Sequence, residues 1–246
     1  MFDLKEYLEK LIAACEAAFG ERLLYVGLQG SYLRGEADES SDIDVMLVLD
    51  RFSVKDMDLY REVLERLGHS EKACGFICGR EELSCWNPLE VCQLSHTTKD
   101  LFGSLADYLP KASREDEINY VRLSLGNLYH ELCHRYIHAE REKNVRKLRG
   151  TCKGLFFLIQ NLYFLESGKF IPTRKALKEL AAEEDRQVLL LAELPDTQDF
   201  DKAFSLVFGW CQNAFQRIER IARQSTQGAE AGPTELCAPC DPGKEI

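Results

Sequence analysis

Residues 30–45 place a Gly-Ser pair ahead of two aspartates that open an apolar run, and this stretch constrains the fold more than any other part of the chain. Asp42 and Asp44 stand one residue apart, and the apolar run at 45–49 that follows is typical of a buried β-strand. Side chains at positions i and i+2 of a strand point to the same face, so we expect the two carboxylates to lie side by side.

The chemistry of these residue types indicates a metal-dependent phosphate site. Two close carboxylates repel each other unless a cation lies between them, and Mg²⁺ is commonly bound by one or two carboxylates together with substrate phosphates. Gly30 and Ser31 can offer backbone N–H groups and a hydroxyl to phosphate oxygens, and Arg34 adds a cation nearby. The stretch therefore predicts a nucleoside triphosphate site, with Asp42 and Asp44 as metal ligands.

The order and spacing of these residues resemble the nucleotidyltransferase superfamily of DNA polymerase beta type. The motif of that superfamily is Gly-Ser, a spacer that often contains Arg-Gly, and then Ser-Asp-hydrophobic-Asp-hydrophobic. The matching residues are Gly30, Ser31, Arg34, Gly35, Ser41, Asp42, Ile43, Asp44 and Val45. The resemblance implies transfer of a nucleoside monophosphate from a triphosphate, with two Mg²⁺ ions about 4 Å apart during turnover. It also implies a third carboxylate on a later strand, as a metal ligand, a general base or both.

Glu90 is the first candidate for this third carboxylate. The run at 89–94 is interpreted as a strand that follows a stop at Asn87-Pro88. Its Leu-Glu-Val setting resembles the strand that carries the base in streptomycin-type adenylyltransferases. Asp100 is the second candidate. The sequence thus predicts Asp42, Asp44 and Glu90 as the catalytic and metal-binding set, with Asp100 as the alternative.

Hydrophobic periodicity predicts a small α/β (α+β) domain with a mixed sheet over residues 1–106. The expected elements are a helix at 4–19, strands at 23–28, 43–49 and 73–78, a helix at 53–67, a short helix at 81–86 and the strand at 89–94.

The rest of the chain predicts an all-α helical bundle over residues 107–223 and a disordered tail over 224–246. Four helices are expected here. One begins at Ser113, one runs over 142–166, one runs from Thr173 through the Ala/Glu-rich stretch, and one runs over 200–222.

This arrangement, a small α/β domain that carries the aspartates followed by helices, resembles the antibiotic nucleotidyltransferases. Those enzymes modify a hydroxyl of an aminoglycoside or lincosamide. The resemblance implies a small hydroxylated acceptor, possible antibiotic resistance, and ATP as the expected donor. The residues themselves do not distinguish ATP from GTP, CTP or UTP.

Composition predicts a cytoplasmic enzyme. The formal charge of −10 argues against a nucleic-acid partner, which would normally meet a basic face. No signal peptide and no membrane span are expected, because the chain has neither a basic flank before an apolar core nor eighteen consecutive apolar residues. Because no secretory signal is expected, the ten cysteines are predicted to be reduced thiols.

Two other functions remain open at the level of sequence. His130-Glu131-x-x-His134 matches the zinc metalloprotease pattern on a predicted helix, and His138 continues the same face. The third zinc ligand that such a site needs is not evident. A nucleotidyltransferase-like domain joined to helices also resembles antitoxins and regulators that modify or bind a protein partner.

Overall fold

The computed structural model of the chain describes residues 3–193 and 199–229, which divide into two compact units between Lys111 and Ala112. The elements of the first unit are α1 (Leu4–Phe19), β1 (Leu23–Leu28), α2 (Gly30–Leu33), β2 (Ile43–Leu49), α3 (Val54–Leu67), β3 (Ala73–Gly79), α4 (Arg80–Ser84), α5 (Pro88–Thr97) and β4 (Lys99–Phe102). Those of the second unit are α6 (Arg114–His138), α7 (Arg141–Ser167), α8 (Arg174–Leu180), α9 (Glu183–Leu191) and α10 (Phe200–Ala229).

The four strands form one mixed sheet in the order β3-β2-β1-β4. β1 is antiparallel to both of its neighbours, and β2 and β3 are parallel. Parallel pairing requires a crossover, which α3 supplies between β2 and β3. The carboxyl end of β1 therefore lies beside the amino end of β2, and this brings Gly30-Ser31 next to Asp42 and Asp44.

One face of the sheet is covered by α1 and α3. These helices bury their apolar stripes against alternate residues of β1 and β2 in a single cluster. Its buried members include Leu8, Leu11, Cys15, Val26, Leu28, Val45, Leu47 and Val63. Burial of this side makes the register of β2 strict, because a slip of one residue would turn Asp44 into this core.

The opposite face carries a smaller apolar cluster at one end and polar residues at the other. Tyr25, Met46, Val48 and Cys78 are buried together with Leu83 of α4. Asp44 lies two residues before Met46 on β2, so its side chain belongs to this second face.

The second unit is a helical domain whose core is built from α6, α7, α9 and α10, with one buried residue from α8. Two ion pairs that share one arginine link three of these helices. Arg217 of α10 makes two hydrogen bonds to Asp185 of α9, at 2.7 and 3.0 Å, and two to Glu166 of α7, at 2.8 and 2.7 Å. Trp210 also donates to Asp185, at 2.7 Å. Asp185 is 1% exposed, so its carboxylate is almost completely removed from water.

The predicted strand over 89–94 is wrong, because this segment lies within α5. Asn87 is the N-cap, its side chain accepting a hydrogen bond from the backbone N–H of Leu89, and Pro88 occupies the first turn. Asn is a favoured N-cap residue and Pro is favoured at the first helical position. The Asn-Pro pair therefore begins a helix here, whereas the sequence interpretation took it as a stop.

One helical prediction in the second unit also needs correction. The single helix expected from Thr173 is two helices, α8 and α9. Arg186 of α9 donates to the backbone oxygens of Lys178 and Ala181, which satisfies carbonyls at the end of α8. Three acidic residues in the first turn of α9 favour a new helix start there.

The disordered tail predicted over 224–246 is wrong for its first six residues, which continue α10 to Ala229. Ser225 accepts a hydrogen bond from Arg114 of α6 at 3.2 Å, so a contact distant in sequence holds this last turn. Residues 230–246 lie outside the described residues.

The predicted fold class is confirmed: a small mixed sheet with helices is followed by a helical domain. Within 3–193 and 199–229, none of the helices combines the length and the apolar character needed to cross a membrane.

Candidate active site

Asp42 and Asp44 lie at the start of β2 and share one face of it. β2 begins at Ile43, so Asp42 immediately precedes the strand and Asp44 is its second residue. Asp42 is exposed and Asp44 is half-buried, whereas Ile43 between them is fully buried in the opposite face. The burial of Ile43 directs both carboxylates away from the α1/α3 core.

Gly30 begins α2, a single helical turn, and packs directly against Asp44. A Cβ atom on Gly30 would lie 1.8 Å from Oδ2 of Asp44, and its φ of +70° is one that L side chains rarely adopt. The backbone N–H of Gln29 donates to the carbonyl of Asp44 at 2.8 Å. Glycine is thus required at position 30 for two reasons, backbone conformation and close approach. The result is a carboxylate held against the N-terminus of a helical turn.

Neither carboxylate of the pair is neutralised by a basic side chain among the described residues. Other acids of the first unit do have basic partners: Glu36 pairs with Arg34 at 3.0 Å, and Asp50 pairs with Arg80 at 2.7 Å. No group of three His, Cys, Asp or Glu side chains in the described part of the chain is placed to hold a metal ion. A cation at Asp42 and Asp44 would therefore need further ligands from water or from a bound phosphate, which fits the coordination habit of Mg²⁺.

The loop between α2 and β2 is shaped by one carboxylate. Oδ1 of Asp38 accepts hydrogen bonds from the backbone and hydroxyl of Ser40, at 2.9 and 2.7 Å, and from the hydroxyl of Ser41, at 3.2 Å. These bonds hold the pKa of Asp38 below its usual value, and those from Ser40 have the largest effect. Lys72 reaches the same loop and donates to the carbonyl of Glu39 at 2.8 Å. Ser41, the serine of the Ser-Asp motif, therefore helps to hold the conformation of the loop that precedes Asp42.

The predicted phosphate binders lie on or just after the same turn. Ser31 is the second residue of α2, is half-buried, and makes no hydrogen bond through its hydroxyl within the described residues. Arg34 caps the turn, and its guanidinium donates to Glu36. The Ser31 hydroxyl is thus available to a ligand, whereas Arg34 already has an acidic partner.

Asp100 lies on the same face of the sheet as Asp44. In the sheet register Gly27 of β1 stands opposite both Met46 of β2 and Asp100 of β4, and directly opposed residues of antiparallel strands share a face. Met46 and Asp44 are two residues apart on β2, so their side chains point to the same face, and Asp100 therefore shares that face with Asp44. β4 is two strand spacings from β2, or about 10 Å across the sheet.

Asp100 is held by one of its oxygens only. Oδ1 accepts hydrogen bonds from the hydroxyl of buried Tyr25, at 2.7 Å, and from the backbone N–H of Leu105, at 3.4 Å. Burial, and after it the hydrogen bond to Asp100, raises the pKa of Tyr25 far above its usual value, so this hydroxyl stays a donor. Asp100 is itself exposed, and its Oδ2 accepts no hydrogen bond from the residues described.

Glu90 lies on α5 and not on the sheet. Its carboxylate accepts a hydrogen bond from Nε1 of Trp86, one turn earlier in the chain. The sheet therefore does not align Glu90 with Asp44 as it aligns Asp100. The sequence interpretation ranked these two acids in the opposite order because it missed β4, whose four residues, Lys99–Phe102, include two charged ones.

Cys74 is a site neighbour that sequence reasoning missed. β3 was predicted, but only its parallel register with β2 places Cys74 opposite Asp44. Partial burial, the negative charge of Asp44 and a hydrogen bond to it raise the pKa of the Cys74 thiol above its ordinary value. The thiol is therefore protonated at neutral pH and can donate to Asp44.

The His-Glu-x-x-His pattern lies on α6, in the second unit. Glu131 forms an ion pair with Arg135 at 3.3 Å, and the described residues supply no third ligand beside His130 and His134. Without a third ligand and a free glutamate, the geometry of a zinc peptidase is not assembled in the part of the chain that is described.

Comparison with known proteins identifies the first unit. Residues 8–82 match the family model of the nucleotidyltransferase domain. A search of curated proteins finds no match. The solved structure of the spectinomycin adenyltransferase AAD(9) from Enterococcus faecialis, with ATP and spectinomycin, is similar in fold. Its TM-score is 0.53 at 14% identity, and the alignment covers 88% of this chain and all of that one.

Two toxin–antitoxin structures are more remote. One, with AMP-PNP, has a TM-score of 0.30 at 20% identity and covers 52% of this chain and 92% of that one. The other, MntA-HepT, has a TM-score of 0.29 at 17% identity and covers 54% and 93%. Scores this low carry no argument for the antitoxin alternative. The matched domain and the fold together show that this chain carries a nucleotidyltransferase domain and is an enzyme of the transferase class.

Proposed function

We propose that this chain moves a nucleoside monophosphate from a nucleoside triphosphate, with ATP as the donor, to a hydroxyl of a small acceptor. The observation that carries the proposal is the pair Asp42 and Asp44: neither forms an ion pair with a described basic side chain, and Asp44 packs against the glycine that begins α2. In such a reaction the acceptor oxygen bonds to the α-phosphorus while the bond to the departing pyrophosphate breaks.

In this proposal, different residues of the first unit bind the metal and the phosphates. Asp42 and Asp44 would hold Mg²⁺, which supplies neutralisation of the charge that develops on the transferred and departing phosphates. Gly30 and Ser31 would bind the outer phosphates through the N-terminal N–H groups of α2 and the serine hydroxyl. We keep Arg34 as a phosphate contact of lower rank, since its guanidinium already serves Glu36.

We assign the general base to Asp100 in preference to Glu90. Asp100 is exposed and its Oδ2 accepts no hydrogen bond from the described residues, while Tyr25 and the Leu105 backbone hold Oδ1. A carboxylate oriented by one oxygen can accept the acceptor's hydroxyl proton on the other. The separation of about 10 Å between β2 and β4 leaves room for an acceptor between the metal ligands and this base.

ATP and spectinomycin, both present in the structure of AAD(9), are the first donor and acceptor to test. The shared fold supports this choice. We extend the proposal to an activity in antibiotic resistance, and to a cytoplasmic location because triphosphates are abundant there.

The deciding experiment is a thermal shift with each of the four triphosphates, with and without Mg²⁺. A ligand at about 100 times its dissociation constant stabilises the folded state by about 2.7 kcal/mol. We expect a Mg²⁺-dependent shift for the wild type and none for Asp42→Asn/Asp44→Asn. Asp58→Asn is the matched control, because Asp58 is an exposed aspartate on α3, against the opposite face. Absence of a shift with every triphosphate in the wild-type protein would contradict the proposal.

A further inference from the structure

Three histidines lie in one row at the C-terminal end of α6. His130, His134 and His138 are four residues apart, so they project from the same side of successive turns, and all three are exposed. The ring centres of His130 and His134 are 6.0 Å apart, and those of His134 and His138 are 4.9 Å apart. Nucleotidyl transfer as proposed above uses none of them.

The spacing of the second pair matches two imidazoles on one metal ion. With a metal–nitrogen bond of about 2.1 Å, an imidazole ring centre lies roughly 3.2 Å from the ion. Two such rings then have centres about 5.2 Å apart at a tetrahedral angle and about 4.5 Å apart at a right angle. The value of 4.9 Å for His134 and His138 falls between these limits. The 6.0 Å of the first pair is too wide without a change of rotamer.

The surroundings of this pair favour a cation. His138 is the last residue of the 25-residue helix α6, where the helix dipole places partial negative charge. Two cations close to the pair in sequence are matched by acids: Arg135 pairs with Glu131 at 3.3 Å, and Arg141 pairs with Asp201 at 2.7 Å. These two arginines therefore add little uncompensated positive charge near the pair.

We propose that His134 and His138 form a site for a divalent first-row transition metal. Neutral imidazole suits Ni²⁺, Cu²⁺ and Zn²⁺, and the general order of affinity predicts the strongest binding for Cu²⁺. The described residues provide two ligands and no third, so the other coordination positions are open to water or to a donor from another molecule. The site is independent of the nucleotidyl transfer assigned to the first unit.

The test is calorimetric titration of the untagged full chain with Ni²⁺, under reducing conditions without chelator. We expect His134→Ala and His138→Ala each to weaken binding by about tenfold or more, a loss of about 1.4 kcal/mol. His130→Ala is the matched control and should bind Ni²⁺ as the wild type does. Exposed thiols such as Cys74 and Cys85 contribute equally to all variants, so only differences between variants count.

Circular dichroism verifies that each variant is folded, as expected for exposed side chains. Wild-type affinity in both His134→Ala and His138→Ala would overturn the proposal. So would a loss in His130→Ala as large as that in His138→Ala, because the ring geometry assigns the site to one pair only. Titration of the Asp42→Asn/Asp44→Asn variant should give wild-type Ni²⁺ binding at the pair, which separates this proposal from the proposed transferase site.

Discussion

Substituting alanine for Gly30 tests the packing of the active site, and Gly35 provides a matched control. Both glycines lie in the α2 turn or directly after it, and both have positive φ, +70° and +67°. An L residue in this region costs about 1–2 kcal/mol, so both variants should lose that much stability. For a chain of this size the loss corresponds to a fall in Tm of roughly 2–8 °C.

The two variants should differ sharply in activity. A Cβ at Gly35 meets nothing within 4 Å, whereas at Gly30 it would lie 1.8 Å from Oδ2 of Asp44. Ordinary contact begins at 3.4 Å, so the Asp44 carboxylate must retreat by about 1.6 Å. A misplacement of about 1 Å in a catalytic group costs roughly 100-fold in rate. Gly30→Ala should therefore lose about 100-fold or more, while Gly35→Ala keeps near-wild-type turnover.

The assay pairs initial rates of pyrophosphate release with thermal melts of both variants. If Gly30→Ala and Gly35→Ala lose activity equally, the effect is one of backbone strain and the proposed contact with Asp44 has no functional weight. If Gly30→Ala retains the wild-type rate, the assignment of Asp44 as a metal ligand is refuted.

Other predictions concern the two candidate bases, one buried ion pair and one buried acid. Asp100→Asn should slow transfer by about 100- to 10,000-fold in initial-rate assays, and Glu90→Gln should leave it nearly unchanged. Arg217→Met should cost about 3–5 kcal/mol in denaturant unfolding, because it leaves a buried carboxylate unpaired. Arg122→Met, which breaks an exposed pair, should cost far less. Burial raises the pKa of Glu117 from 4.5 to about 7, so folding stability should fall as pH rises from about 4.5 through about 7, by up to about 3 kcal/mol. Glu117→Gln should remove that dependence.

Each of these outcomes has a clear opposite. A larger loss in Glu90→Gln than in Asp100→Asn would return the base to α5. Equal unfolding free energies for Arg217→Met and Arg122→Met would mean that the buried network contributes no more than a surface pair. The sign for Glu117 follows from its state: the folded protein keeps the proton longer than the unfolded chain does, so stability is greatest below pH 4.5. A stability that rises over this range and is unchanged in Glu117→Gln would refute this reasoning.

Local sequence determined the parts of this protein whose signals lie close together in the chain. The Gly-Ser turn, the aspartates at 42 and 44 and the strand after them lie within residues 30–49, so alternation alone predicts the shared face of the two aspartates. The apolar stripes of α1, α3, α6 and α7 are likewise local, because helical periodicity needs only a few turns to be recognised. The fold class followed from these segments.

Tertiary structure decided everything that depends on pairing between distant strands. β4 is four residues long with two charged ones, and only its register with β1 aligns Asp100 with Asp44. The parallel register of β3 likewise brings Cys74 to the same carboxylate. Because no periodicity within 89–102 distinguishes a capped helix before a short strand from a strand alone, Glu90 was preferred on sequence. The register of β4 aligns Asp100, and not Glu90, with Asp44, and this alignment is the ground on which we propose Asp100 as the base.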